Sequence, residues 1–384
     1  MEPLDQSVLP PGVRSRFVHH VNGATVHILE AGFETPGRPC VVLFHGFPEL
    51  AYSWRRVLPA LAEAGYYAVA PDVRGYGRTS GTDATYDDDI APYSTLNKVR
   101  DALWLVSALG VSSVVAAIGH DAGAAVAAGC ALTRPDVFRS VVMMSAPFGG
   151  VDRLPFNTAT AEVVAPTTPT RAGLDAELAR LNPPRKNYRS YYSTREANDN
   201  MWHAPGGVHA FLRAYYHHKS ADWKQNQPHP LQGAAATEFA KLPRYYTMDL
   251  DKGMAETVAA EMPSAAAIEA CAWLPDRELA VFAAEYGRTG FQGGLQGYRV
   301  GTTGHGAAEL SLFAGRTIDV PACFISGAQD WGNYQTPGAL ERMRDHACTD
   351  FRGIHFVEGA GHWVQQEQPE RVSALILDFL RGQA

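Results

Sequence analysis

The sequence has no run of about 18 apolar residues, the length a helix needs to cross a bilayer, so no membrane span is expected. It has no excess of positive charge either: 33 Lys and Arg against 40 Asp and Glu give a net charge of −7. Phosphate binding needs a clustered basic face, and without one nucleic acid is not an expected partner. Cysteine is scarce. Cys40, Cys130, Cys271, Cys323 and Cys348 are odd in number and form no CxxC, which argues against both a disulfide framework and a zinc site. The opening residues, MEPLDQSVLPPGVRSRF, lack the basic start and apolar block of a secretory signal. Reduced thiols and the missing signal together predict a cytoplasmic protein. No internal repeat is visible. What is present, 46% apolar and 19% charged residues over 384 positions, is the profile of a globular chain with a large core and room for a second, smaller layer.

Short β-branched runs bounded by turn formers predict strands at 26–32 (VHILEAG), 40–45 (CVVLFH), 66–70, 113–118 and 140–144. Helical periodicity lies between them, near 56–64, over 96–109 and from about Ala122 onward. Strands apolar on both faces and alternating with helices predict a mostly parallel sheet with helices on both faces. The pattern stops near Phe148. Residues 150–185 are rich in Pro, Thr and Ala with no strong period, and 188–300 are dense in Tyr, Trp, His and Met, with helical stretches at 205–218 and 253–286. The βα rhythm resumes with PACFIS (321–326), a helix near 336–346, a strand at 353–358 and a helix at 369–381. The expected organisation is an α/β core, 1–147 and 316–384, interrupted by a mostly helical cap at 148–315.

The chemistry is concentrated in four short segments. Ile118-Gly119-His120-Asp121-Ala122-Gly123-Ala124 lies between a predicted strand and a predicted helix. Small residues at 119 and 123 permit a sharp strand-to-helix turn that presents residue 121 above the sheet edge, where such folds carry their nucleophile. An Asp so placed could equally cap the helix. As a nucleophile it is already charged at neutral pH, and by displacement at saturated carbon it gives an alkyl ester. Gly327-Ala328-Gln329-Asp330 and Gly359-Ala360-Gly361-His362-Trp363 each follow a predicted strand. Ligands in open α/β sheets bind beyond the carboxyl ends of strands, so Asp121, Asp330 and His362 should converge on one edge. His45-Gly46-Phe47-Pro48-Glu49, after the strand VVLF, is placed to supply an oxyanion-hole N–H from Phe47, with the second from Ala122.

These segments resemble the epoxide hydrolases of the α/β-hydrolase fold, whose order of nucleophile, acid and histidine they share. The matching stretches are HGFPELAYSWRRVLPALAEAGYYAVAPDVRGYGRTS (45–80), GHDAGA (119–124), GAQD (327–330) and GHWVQQEQPE (361–370). The resemblance implies Asp121 as nucleophile, His362 as base, Asp330 as its partner, and two cap tyrosines that grip the epoxide oxygen. It points to Tyr298 within GFQGGLQGYR, and to Tyr188 within NYRSYYSTRE with Tyr191 as the alternative. It implies no cofactor. Two departures stand out: family members usually have Trp immediately after the nucleophile, where this chain has Ala122, and the insertion is much longer than the usual cap. Both bear on substrate, and a bulky or apolar epoxide is expected. A homo-oligomer is compatible with the sequence.

The rival readings each miss a feature. Haloalkane dehalogenases also use Asp but hold the leaving halide with indole N–H donors, one of them beside the nucleophile. Ester, lactone and carbon–carbon hydrolysis favours Ser, since carboxylate attack on a carbonyl gives a labile anhydride. A non-catalytic receptor on this fold has no use for a complete triad. His203, His209, His217 and His218 have no compact ligand spacing, and Gly75-Tyr76-Gly77 is too short for a dinucleotide loop.

Overall fold

The structure, a computed structural model, describes residues 1–156, 159 and 171–382. Among the described residues there are ten strands, β1 (Val13–Val21), β2 (Ala24–Ala31), β3 (Cys40–Phe44), β4 (Tyr67–Pro71), β5 (Val114–His120), β6 (Val141–Met144), β7 (Arg185–Asn187), β8 (Thr247–Asp249), β9 (Ala322–Gly327) and β10 (Phe351–Val357). Eight of them form one sheet in the order β1-β2-β4-β3-β5-β6-β9-β10. β1 and β2 pair antiparallel, as do β2 and β4, and every other neighbouring pair is parallel. Every residue of β3, β6 and β9 is buried, because helices cover both faces. That is why these strands read as unbroken apolar runs instead of alternating ones.

Eight of the twelve residues of the helix Ala122–Thr133 are Ala or Gly, and it lies close to the sheet for that reason. A Cβ at Gly123 would overlap the backbone carbonyl of Phe44, and one at Gly129 would press on Val99 of the helix Thr95–Ala108. On the other side, Val57–Glu63 packs with Pro369–Arg381.

Between β6 and β9 the chain is mostly helical, with the antiparallel pair β7–β8 as its small sheet. The predicted helix at 253–286 is instead three helices, Met254–Ala259, Ala265–Ala270 and Asp276–Thr289. Pro263 and Pro275 break it, since neither can donate an N–H to a continuing helix. The helix expected near 336–346 is one short turn, Ala339–Arg342, followed by a wider one. β1 was not predicted. It is an edge strand whose Arg14 and Arg16 pair with the buried Glu30 of β2, so polar residues fill positions an apolar pattern would need. Part of the Pro-, Thr- and Ala-rich stretch at 150–185 lies outside the described residues. Among the described residues no helix is long and apolar enough to cross a membrane.

Candidate active site

Four loops meet at the carboxyl edge of the sheet, after β3, β5, β9 and β10, the edge at which open α/β sheets bind their ligands. Asp121 occupies the turn from β5 into the helix Ala122–Thr133 with φ 52° and ψ −120°, a backbone conformation that side chains rarely adopt. The Asp121 N–H donates to the Met144 carbonyl at 3.0 Å, which pins the turn to β6. Space for the turn comes from glycine: a Cβ at Gly119 would overlap the Gly123 backbone, and a Cβ at Gly46 would overlap the Asp121 side chain.

His362 is fully buried, its backbone N–H bound to the Lys219 carbonyl at 2.9 Å. Its Nδ1 lies 3.1 Å from both carboxylate oxygens of Asp330. A carboxylate only accepts, so Nδ1 carries a proton. Nε2 stands 3.4 Å from Asp121 Oδ2 with no hydrogen bond to it. Asp330 also accepts from the Gly332 N–H at 2.7 Å. Burial pushes the carboxyl groups of Asp121 and Asp330 up. For both, His362 and the buried Lys219 ammonium more than offset it and hold them below the usual carboxylate range.

The two oxygens of Asp121 have different surroundings. Oδ1 accepts from the Phe47 N–H at 3.0 Å, while Oδ2 faces His362. Ala122 is the first residue of its helix, so its N–H has no intrahelical partner.

Asp121 and Ala122 line a cavity of about 260 Å3 shared with Tyr188, Tyr298, Arg189 and Gln335. Tyr191 does not line it; the Lys186 ammonium sits over its ring instead. The rings of Tyr188 and Tyr298 are 6.0 Å apart. The Tyr188 hydroxyl donates to Gln335 Oε1 at 3.0 Å and accepts from Arg189 Nε at 3.1 Å. The Tyr298 hydroxyl has no hydrogen-bond partner among the described residues. Burial raises both phenols above their ordinary value, Tyr298 far above it, so both carry their protons at neutral pH.

Several residues at this edge escaped the sequence reading. Glu49, within the HGFPE segment, is fully buried and accepts from the Gly46 N–H at 3.0 Å and from Gln365 at 2.8 Å. His120 lies against it, immediately before the nucleophile. The motif flagged both residues without giving their contacts. Lys219, whose ammonium lies over the rings of Tyr246 and Trp363 at 5.0 and 5.3 Å, had no sequence signal beyond sitting in an aromatic-rich helix. Among the described residues no group of three or more His, Cys, Asp or Glu side chains is placed to hold a metal ion.

A family model described as the alpha/beta hydrolase fold matches residues 39–369. The chain is 33% identical to epoxide hydrolase A of Mycobacterium tuberculosis over 94% of its own length and 95% of that protein. It is 31% identical to an epoxide hydrolase of Caballeronia sordidicola, covering 94% and 92%. The chain belongs to the epoxide hydrolases of the α/β-hydrolase fold. Solved structures agree with this. An epoxide hydrolase from an endophytic Streptomyces superposes with a TM-score of 0.74 at 31% identity, covering 97% of each chain. Epoxide hydrolase A from Mycobacterium thermoresistibile gives 0.72 at 31%, covering 96% and 98%. Membership in this family makes the chain a hydrolase, and the resemblance drawn from residues 45–80, 119–124, 327–330 and 361–370 is borne out.

Proposed function

We propose that this chain adds water to an epoxide through an ester on Asp121, with Tyr188 and Tyr298 as acids, His362 as base and Asp330 as its orienting partner. The observation that carries the reading is the pairing, across one cavity, of a carboxylate at the nucleophile position with two protonated phenols. Asp121 Oδ2 attacks an epoxide carbon, the C–O bond breaks, and a phenol protonates the departing oxygen. His362 Nε2 then takes a proton from water as that water attacks Cγ of the ester. Oδ1 becomes the oxyanion, held by the N–H groups of Phe47 and Ala122. On collapse the histidinium protonates the departing diol oxygen, and the proton left on the Asp121 carboxyl restores the phenolate to a phenol. A halide needs no such acid, and no Trp is among the residues lining the cavity, so nothing there favours dehalogenation.

We assign the core to 1–147 and 316–384 and the cap to 148–315. The support is that the sheet pauses between β6 and β9 and that both tyrosines belong to the intervening part. We further infer a bulky, apolar epoxide as substrate, because the cavity walls include Ala122, Ala125, Val126, Ala146 and Tyr93. The five cysteines form no disulfide, which supports the cytoplasmic reading.

Incubating His362→Gln with mixed epoxides and weighing the intact protein tests the scheme. The expected result is a mass gain of one epoxide on Asp121, absent in Asp121→Asn/His362→Gln. A gain that persists without Asp121, or no gain together with no turnover by the parent, overturns it.

A further inference from the structure

Opening an epoxide moves a charge. The Asp121 carboxylate becomes a neutral ester, and the negative charge reappears on whichever phenol gives its proton to the departing oxygen. The two phenols of the cavity have unlike neighbours. Tyr188 begins the short helix Tyr188–Tyr192, where the Asn187 side chain caps the turn by accepting from the Arg189 backbone N–H at 2.9 Å. Side chains 188 and 189 then converge on Gln335. The Arg189 guanidinium donates its Nε–H to the Tyr188 oxygen at 3.1 Å and an Nη2–H to Gln335 Oε1 at 3.0 Å. Arg189 forms no ion pair among the described residues. Burial and the nearby Arg189 both push Arg171 down, so one charged neighbour is a second cation, and the acid on that side, Asp175, accepts from Ser190 at 2.5 Å. No donor among the described residues reaches the Tyr298 oxygen, and Arg189 acts on Tyr298 less than on Tyr188.

We propose that Arg189 is a positioning residue that makes Tyr188 the phenol giving up its proton, by holding the phenolate it becomes, while Tyr298 keeps its proton and holds the epoxide oxygen by a hydrogen bond.

In the resting site the Tyr188 proton points at Gln335 Oε1, 3.0 Å away. When an epoxide oxygen arrives the O–H swings to it, and the Arg189 Nε–H stays on the phenolic oxygen. As the C–O bond breaks the proton crosses, and a hydrogen bond from a cation to a neutral oxygen becomes one between opposite charges. The gain comes as the charge develops, which is what accelerates a step; a contact equally strong with the resting phenol would not. The Gln335 carbonyl opposes the new charge, but a neutral dipole is a weaker neighbour than a guanidinium at nearly the same distance. Burial raises both phenols. Arg189 pulls Tyr188 back toward its ordinary value, whereas Tyr188, Asp121, Tyr215 and Tyr76 push Tyr298 further up. When Asp121 is released from the ester with a proton on its carboxyl, that proton returns to Tyr188 and the charge crosses back.

The inference rests on the epoxide-opening reading, and its test separates the two. Single-turnover alkylation is followed against the concentration of a neutral epoxide in the parent, Tyr188→Phe and Tyr298→Phe, and in each of the three with Arg189→Met added. Arg189→Met alone should slow saturated alkylation by about ten- to a hundred-fold, the range for a hydrogen bond to a charged group, with half-saturation little changed. Added to Tyr298→Phe it should cost at least as much. Added to Tyr188→Phe, where no phenol is left to hold, it should cost less than about three-fold, near the scatter of independent changes. Arg189→Lys, which keeps the charge, should be faster than Arg189→Met, and Tyr188→Phe should be slower than Tyr298→Phe. A loss of the same size in both tyrosine backgrounds makes Arg189 merely structural. That result, a parental rate in Arg189→Met, no recovery in Arg189→Lys, or Tyr298→Phe as the slower tyrosine variant overturns the proposal while epoxide opening stands. A parent that opens no epoxide brings down the epoxide reading and this one with it. The order of the two tyrosine variants decides the matter even if Arg189→Met does not fold.

Discussion

His120 joins the nucleophile's strand to the loop of the histidine: its Nε2 lies 2.7 Å from the backbone carbonyl oxygen of His362. Its Nδ1 lies 2.5 Å from Glu49 Oε2. Both partners are acceptors, so both ring nitrogens carry protons, and His120 is an imidazolium paired with the Glu49 carboxylate. Both side chains are fully buried. Burial opposes both charges, yet each partner sustains the other, raising His120 and lowering Glu49. A compact ion pair therefore spans the loops after β3, β5 and β10 directly behind Asp121.

Removing one member of that pair leaves a lone buried charge. Glu49→Gln should cost about 3–5 kcal/mol of stability, the usual penalty for breaking a buried pair, read from urea unfolding. The pH dependence has two arms. The Glu49 contribution is complete above its ordinary carboxylate value and is lost as pH falls through the depressed one. The His120 contribution is complete below about 6.5 and is lost as pH rises through the raised one. Between about pH 5 and 6 both are full, so the gap between parent and Glu49→Gln should be widest there and narrow on either side. A constant gap from pH 4 to 9 contradicts the charged pair.

The two oxygens of Asp121 should have separate fates. In a single turnover in heavy-oxygen water, the diol should take its new oxygen from the protein, and the solvent label should appear in Asp121 by peptide mass spectrometry. Label in the first-turnover diol would mean that water attacks the epoxide directly.

Tyr188→Phe and Tyr298→Phe should each slow ester formation by roughly 10- to 1,000-fold, near the range for general acids, and the double variant should be nearly inert. The two singles should differ in stability. Tyr188 loses two hydrogen bonds, to Gln335 and from Arg189, whereas Tyr298 loses none. Tyr188→Phe should therefore unfold more easily, by about 1–3 kcal/mol. Stopped-flow alkylation rates and urea midpoints read both effects, and a double variant that alkylates at the parental rate removes the tyrosines from the mechanism.

Ala122→Trp should fill the space beside the nucleophile. Bulky and aromatic epoxides should lose at least ten-fold in kcat/KM, while propylene-sized ones keep most of theirs. A uniform loss across sizes would point to distortion of the elbow instead.

The core was legible because its strands are buried on both sides and its loops carry glycine where the backbone turns: Gly119, Gly123 and Gly46 all sit where a Cβ would collide. Those constraints are local in sequence, and Asp121, Asp330 and His362 follow from them. The cap was harder to read. Tyr188 could be told from Tyr191 only by resemblance, because both fall on one short turn, Tyr188–Tyr192, and what separates them is which ring reaches the cavity. β1 was hidden by its polar edge, and the helix at 253–286 looked continuous because apolar period outweighed two prolines.

The backbone at Asp121 has one more consequence. Its φ of 52° and ψ of −120° suit glycine, and holding an aspartate there costs on the order of 1–3 kcal/mol. Asp121→Gly should therefore make a dead protein with a higher melting temperature than the living one. A library of variants screened only for heat resistance should accumulate glycine at this position and drift away from activity. The residue most needed for turnover is one the fold alone would discard, and it persists only as long as turnover itself is selected.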